Sequence, residues 1–202
     1  MSSQLSEKDR EQIDAGIREK YHKVAFSPEG QFKYPTGIEG LKKLGYGNHL
    51  IADLPNTVAD SYCGVGNPFS LGKIDSGAFV LDIGCGSGVD ALIAAKLVGP
   101  SGKVLGIDVT TEMIEKANYN KELMASDNIS FQVASVQDIA DVDEGFDVII
   151  SNGVFNLIPD KDEALQAAYG LLKPGGKLYI CDQILTGPLS KDVRQRVASW
   201  FQ

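Results

Sequence analysis

At 202 residues, 43% hydrophobic and 23% charged, the chain has the makeup of one substantial folded domain, which excludes disorder of the whole. Nineteen Lys and Arg against 27 Asp and Glu give a net charge of −8 with no basic run, which argues against a nucleic-acid backbone or an anionic membrane as partner. The polar start "MSSQLSEKDREQ" lacks the apolar core of a secretory signal, no apolar run nears the ~18 residues of a membrane span, and three scattered cysteines with two histidines offer neither a disulfide framework nor a zinc ligand set, so a reducing cytoplasm is expected.

Ser6 to about Lys23 reads as a helix, capped by Ser6 with Asp9 in its first turn. Ile13, Ile17 and Tyr21 form one apolar stripe, expected to pack on the main domain. "FSPEGQFKYPTG" is a loop, and "TGIE" at Thr36 to Glu39 has capping-box form and opens a short helix through Leu44. "NHLIADLP" reads as another short helix, and the stretch from "GYGNH" to "CGVGNPF" is Gly-rich with Pro55 and Pro68 as breakers. Residues 1–71 are expected to form a helical, irregular lid, and 72–202 the core.

From Ala78 the pattern becomes regular. "AFVLDIG" is a buried strand, and "VDALIAAKLVG" a helix closed by Gly99 and Pro100. "GKVLGIDV" is a strand, and Thr110 or Thr111 caps a helix through about Met124. "ISFQVAS" and "FDVIISN" are strands, "DKDEALQAAYGLL" is a helix stopped by "KPGG", and "KLYICDQIL" is a fifth strand. Strands alternating with helices predict a doubly wound, mostly parallel α/β sheet. Only about one helix's worth of sequence, "SKDVRQRVASWFQ", follows the fifth strand, so the fold reads as truncated there. The outer edge of that strand would need cover from another copy, from the terminal helices or from the N-terminal segment, unless the chain is a piece of a longer protein. Trp200 and Phe201 would lack cover as well.

Parallel sheets bind ligands at the C-terminal strand ends, near the reversal of strand order, and "DIGCGSG" lies at such an end. Its spacing is G-x-G-x-G, not the G-x-G-x-x-G of the dinucleotide fingerprint. Asp82 just before the loop repels a pyrophosphate and attracts an ammonium. Asp108, roughly 20 residues after the last glycine, stands where an acid accepts from ribose hydroxyls. A ligand with a ribose, an ammonium and no phosphate fits S-adenosylmethionine better than a nicotinamide dinucleotide. His49 in the lid is a candidate general base, though a lone histidine is more often structural.

"VLDIGCGSG", "GKVLGIDVTTEMIEKA", "FDVIISN" and "LLKPGGKLYI" resemble the motifs of class I S-adenosylmethionine-dependent methyltransferases over Ala78 to Ile184. "SYCGVGNPF", "GSGVDALIAAKLVGPSGKVLGIDVTTEMI" and "ISNGVFNLIPDKDEAL" resemble the arsenite methyltransferase family and extend the likeness back to about Leu44. The resemblance implies a Rossmann-like methyltransferase fold, S-adenosylmethionine as cofactor and S-adenosylhomocysteine as product. It implies that Asp82, Gly84, Cys85, Gly86 and Gly88 line the methionine and ribose, and that Asp108 holds the ribose hydroxyls. Val109 and Met113 would pack on the adenine or ribose edge, Val136 and Gln137 would flank the adenine, and Tyr62 would close over the cofactor or simply pack the lid. The family has acids at the positions of Ser135 and Gln137, and only the neighbouring Asp138 is kept, so weaker binding is expected.

Cys63, Asn67, Asn152 and Phe155 fall on the expected acceptor side, with Asn67 equally readable as a turn residue. The arsenite family carries cysteines where this chain has Val65 and Gly153, and another beyond the segment that resembles "ASWFQ". Soft thiolates suit a thiophilic centre, and three converging thiolates are lacking here, so a small-molecule acceptor other than arsenite is expected. A catalytically inactive cofactor-binding module or partner subunit is the alternative, and a dinucleotide oxidoreductase is disfavoured by Asp82 and the glycine spacing.

Overall fold

A computed structural model describes residues 5–139, 145–184, 186, 187, 192, 197 and 200. The first helix, α1 (Glu7–Phe26), is opened by a reciprocal capping box: Ser6 Oγ accepts from the Asp9 N–H, and Asp9 Oδ2 accepts from the Ser6 N–H at 2.9 Å. Three short helices follow, α2 (Gly37–Lys43), α3 (Asn48–Ile51) and α4 (Asn56–Ala59), and then a 3-10 turn at Pro68–Ser70. The capping box expected at Thr36 does not form. The Thr36 side chain makes no cap bond, and the Gly37 N–H donates instead to the Tyr62 carbonyl at 2.7 Å.

The regular part runs β1 (Phe79–Ile83), α5 (Val89–Val98), β2 (Lys103–Asp108), α6 (Thr111–Met124), β3 (Ile129–Val133), a 3-10 turn at Val136–Asp138, β4 (Phe146–Asn152), α7 (Lys161–Gly170) and β5 (Leu172–Cys181). All pairings are parallel and the strand order is β3-β2-β1-β4-β5, so the doubly wound reading holds. The chain leaves β1 for β2 on one side and later returns to add β4 on the other. The C-terminal ends of β1 and β4 therefore flank the point where strand order reverses.

Alternation along the strands serves both faces. Val80 and Ile150 belong to one apolar cluster with Leu92 and Ala95 of α5, while Leu81, Ile83 and Ile149 belong to another with Ala164 and Ala168 of α7. The N-terminal segment does not stand apart from this core. Leu41, Tyr46, Leu50, Val58 and Tyr62 share the cluster of Val80, Leu92 and Val104.

Two boundaries differ from expectation. β5 begins at Leu172, because Leu172 already pairs with Phe146 before a bulge carries the chain past Gly175 to resume pairing at Lys177. It ends at Cys181, short of Ile184. Among the described residues no strand pairs with its outer edge, while one face is packed by the stretch just before β1: Tyr179 shares a buried cluster with Ile74, and its hydroxyl reaches the Lys73 carbonyl. The expected last helix lies largely outside the described residues. Trp200, expected to lack cover, donates its Nε1–H to the Leu157 carbonyl at 2.7 Å beneath the Lys161 ammonium. No helix of the described residues is long and apolar enough to cross a membrane.

Candidate functional site

A cavity of about 670 Å³ lies at the C-terminal ends of β1, β2 and β4, and one face of α1 lines it. Its floor is the turn after β1. Asp82, the second-to-last residue of that strand, is 2% exposed, and its Oδ2 has no hydrogen-bond partner. Burial pushes its carboxyl well above the ordinary range, and the neighbouring Asp90 and Asp108 charges add to the shift. Asp82 lines the cavity, and a buried acid oxygen without a partner beside it is suited to an incoming cation.

Gly84, Cys85 and Gly86 carry the chain past Asp82. Gly86 has φ +52, and a Cβ there would point into open space, with only Met113 Sδ 3.9 Å away. The backbone is therefore free for close approach by a ligand. The Gly86 N–H donates to Asp108 Oδ2 at 3.0 Å, and the Thr110 N–H donates to Asp108 Oδ1 at 2.9 Å. These two bonds lock the acid at the end of β2 against the glycine turn. Burial raises the Asp108 carboxyl while the two N–H donors oppose the rise. Thr110 occupies the cap position of α6, but its side chain makes no cap bond.

The rest of the wall comes from several elements. Val109 lines the cavity and its carbonyl accepts from Arg18 of α1. Val136 and Gln137 line it from the turn after β3, where Ser135 and Asp138 close a capping box on each other. Tyr62, Cys63 and Gly64 line it from the N-terminal segment, and Asn152, Gly153 and Val154 from the end of β4. Burial and the nearby Asp108 and Asp90 charges push the Cys63 thiol up to about 12, so it is a thiol at neutral pH.

Four residues expected at the site lie off the cavity wall. A Cβ on Gly88, at φ +82, would sit 2.6 Å from Phe131, so this glycine serves the packing of the α5 cap. Met113 is fully buried behind the Gly86 turn. Asn67 caps the 3-10 turn, accepting from the Phe69 N–H and donating to the Gly45 carbonyl. Phe155 is buried in the cluster of Leu81 and Ile149. His49, the candidate base, is exposed on α3 and also off the wall.

Other wall residues escaped the sequence reading. Ile17 and Tyr21, read as a packing stripe, face the cavity together with Arg10 and Arg18. Asp90 is the largest omission. It is 7% exposed in the first turn of α5, accepting from the Tyr46 hydroxyl at 2.6 Å and from Asn152 Nδ2 at 2.8 Å. Burial pushes its carboxyl up to about 6 against these two bonds. Asn152 also donates to the Gly66 carbonyl and accepts from the Val65 and Gly66 N–H groups at 2.9 Å each, pinning the 64–66 loop, whose Gly64 lines the cavity. The signal for Asp90 was its place two residues after Gly88 in "GSGVD", where it was absorbed into the helix start.

Residues 74–201 match a family described as a methyltransferase domain. The chain is 33% identical over 204 residues to an arsenite methyltransferase of Halobacterium salinarum, covering 94% of this chain and 52% of that protein. It is 45% identical over 140 residues to an arsenite methyltransferase of Aquipseudomonas alcaligenes, covering 66% of this chain and 39% of that protein. A crystal structure of an arsenic (III) S-adenosylmethionine methyltransferase from Chlamydomonas reinhardtii superposes with a TM-score of 0.58 at 36% identity, covering 74% of this chain and 50% of that one. The chain thus spans about half or less of the length of these relatives.

Proposed function

The chain belongs to the methyltransferase domain family of S-adenosylmethionine-dependent proteins, and from this premise we propose that it transfers a methyl group from S-adenosylmethionine to a small-molecule acceptor. The observation that carries the cofactor reading is Asp82 on the cavity wall, buried and with its Oδ2 left without a hydrogen-bond partner. It suits an ammonium and repels a pyrophosphate.

In this reading Asp82 takes the ammonium, Asp108 accepts from the ribose hydroxyls, and the Gly84–Gly86 backbone passes beneath the methionine. Val109, Val136 and Gln137 border the adenine, and Tyr62 closes the wall from the lid, 1–71, over the core, 72–202. When bound, S-adenosylmethionine supplies an electrophilic methyl group on a sulfonium, so the chain itself has to orient an acceptor and exclude water. Asn152, which holds the 64–66 loop down, and α1, which lines the cavity, serve that exclusion. The acid-rich wall and the net charge of −8 favour a neutral or cationic acceptor over nucleic acid. A cytoplasmic location fits the sparse cysteines, and the outer edge of β5 suits pairing with a second copy.

The acceptor in this reading is not arsenite, because Val65 and Gly153 offer no sulfur where they meet beside the cavity. The relatives' names and the Cys63 thiol on the wall favour arsenite as a second reading. Calorimetry with S-adenosylmethionine and NAD tests the cofactor: binding of the first alone is expected, and binding of NAD alone would sink the reading. Formation of S-adenosylhomocysteine with a metabolite panel then separates an enzyme from an inactive binding module. Methylated arsenic from thiol-bound arsenite would establish the second reading instead.

A further inference from the structure

Of the seven acidic residues that line the cavity, Asp82 in β1, Asp90 in the first turn of α5 and Asp108 at the end of β2 belong to the central strands and the helix between them. None of these three takes part in an ion pair among the described residues. The proposed cofactor reading, on which this inference rests, gives work to two of them, the ammonium to Asp82 and the ribose to Asp108. Asp90 is left over. It is tied through Asn152 to the end of β4, where Gly153 and Val154 line the cavity beside Gly64 of the pinned 64–66 loop. The one positive charge not yet matched is that on sulfur, which joins the ribose to the amino-acid tail and carries the methyl group toward the acceptor.

We propose that Asp90 senses the charge on the cofactor's sulfur, so that the cavity holds the sulfonium of S-adenosylmethionine more tightly than the neutral thioether of S-adenosylhomocysteine. Both hydrogen-bond donors to Asp90, the Tyr46 hydroxyl and the Asn152 amide, are neutral, so they orient the carboxylate without cancelling its charge. Tyr46 is itself held by Tyr62 at 3.1 Å, and Asn152 by the loop backbone, so Asp90 cannot swing away to solvent. In a nearly dry site such a charge acts at a low effective dielectric constant. Methyl transfer removes the positive charge, so the attraction disappears with the reaction and product release is favoured.

Affinities of S-adenosylmethionine and S-adenosylhomocysteine, measured by calorimetry at neutral pH for the wild-type protein and for Asp90→Asn, test this. The wild type should prefer the sulfonium by about tenfold, an effect the size of one partly screened charge pair. Asp90→Asn should bring the two affinities within about twofold by weakening the sulfonium ligand. A second measurement serves if that variant does not fold. In the wild type the preference should shrink as pH falls through about 6, where Asp90 takes up a proton. The other titratable groups coupled to Asp90 are Tyr46, Tyr62, Cys63, Cys181 and Asp82. The tyrosines and thiols stay neutral across this range, and Asp82 faces the ammonium common to both ligands, so its titration cancels in the ratio. Equal wild-type affinities, a preference that survives in Asp90→Asn, or one that does not change with pH would overturn the assignment, as would a role for Asp90 confined to proton transfer. Failure of the wild type to bind either ligand would instead overturn the cofactor reading.

Discussion

Val65 stands against Gly153: a Cβ built on Gly153 would lie 3.3 Å from Val65 Cγ1 and 3.4 Å from Cγ2. The proposed reading, in which the acceptor is not arsenite, takes these as two positions where sulfur would be needed to hold arsenic; here they are adjacent and carry none. Installing Val65→Cys together with Gly153→Cys should create arsenite binding that a small added thiol completes. Gly153 has φ +77, so a side chain there costs roughly 1–2 kcal/mol, and a somewhat less stable protein is expected. Titration with arsenite, followed by thiolate–arsenic absorbance, should give a signal for the double variant and none for the wild type. A wild-type signal would return the acceptor to arsenite.

Asp108 is held by the Gly86 and Thr110 N–H groups, which fix its direction before any ligand arrives. Asp108→Ala should weaken S-adenosylmethionine binding by about 2–3 kcal/mol, the range for hydrogen bonds to a charged group. Asp108→Asn keeps one accepting oxygen and should fall between. Calorimetry on variants with wild-type circular dichroism reads this directly, and unchanged affinity in Asp108→Ala would remove the ribose role.

The core was legible because strand and helix periods, glycine turns and strand-end acids are local features. "VLDIGCGSG" and "GKVLGID" state their structure within a few residues, and both strands formed with Asp82 and Asp108 at their ends. What was not legible depends on distant partners. Thr36 and Glu39 have the right spacing for a capping box, but the Tyr62 carbonyl takes the first N–H of α2. Met113 and Phe155 look like cavity residues in a one-dimensional motif, yet side-chain direction buries each in a core cluster or behind the glycine turn. Asp90 was missed for the same reason. Its partners are 44 and 62 residues away, at Tyr46 and Asn152.

Arg10 and Asp160, both on the cavity wall, join α1 to the loop before α7, with Nη2 donating to Oδ1 at 3.0 Å and Nε 2.9 Å from Oδ2. At the other end of the helix Arg18 donates to the Val109 carbonyl, and His22 lies 2.8 Å from Glu112. If α1 gates the proposed cofactor site, these contacts have to loosen at one end before the cofactor exchanges. Arg10→Ala should speed S-adenosylmethionine dissociation several-fold. It should change stability by less than about 1 kcal/mol, because the pair is partly solvated. Stopped-flow displacement by excess S-adenosylhomocysteine measures the rate, and an unchanged rate would mean that this end of α1 does not gate the cavity.

Asp90 also sets how stability depends on pH. Its carboxyl is raised from 3.8 to about 6 by burial, so between those values the folded protein holds a proton that the unfolded chain has released. Stability from this group is therefore fully present below about pH 4 and is lost as pH rises through about 6, a difference of about 3 kcal/mol. Asp82 and Asp108 are shifted the same way and steepen the loss. Asp90→Asn removes the buried charge. Its amide oxygen can accept from Asn152 while its NH2 meets the Tyr46 oxygen, whose hydroxyl can turn to the Gly66 carbonyl 3.1 Å away. The variant should therefore be more stable than wild type by about 1–3 kcal/mol above pH 7, with little or no advantage near pH 4. Urea unfolding at the two pH values measures both numbers. A variant destabilised equally at each would mean that the Tyr46 and Asn152 bonds, and not the buried charge, dominate the energetics of this site.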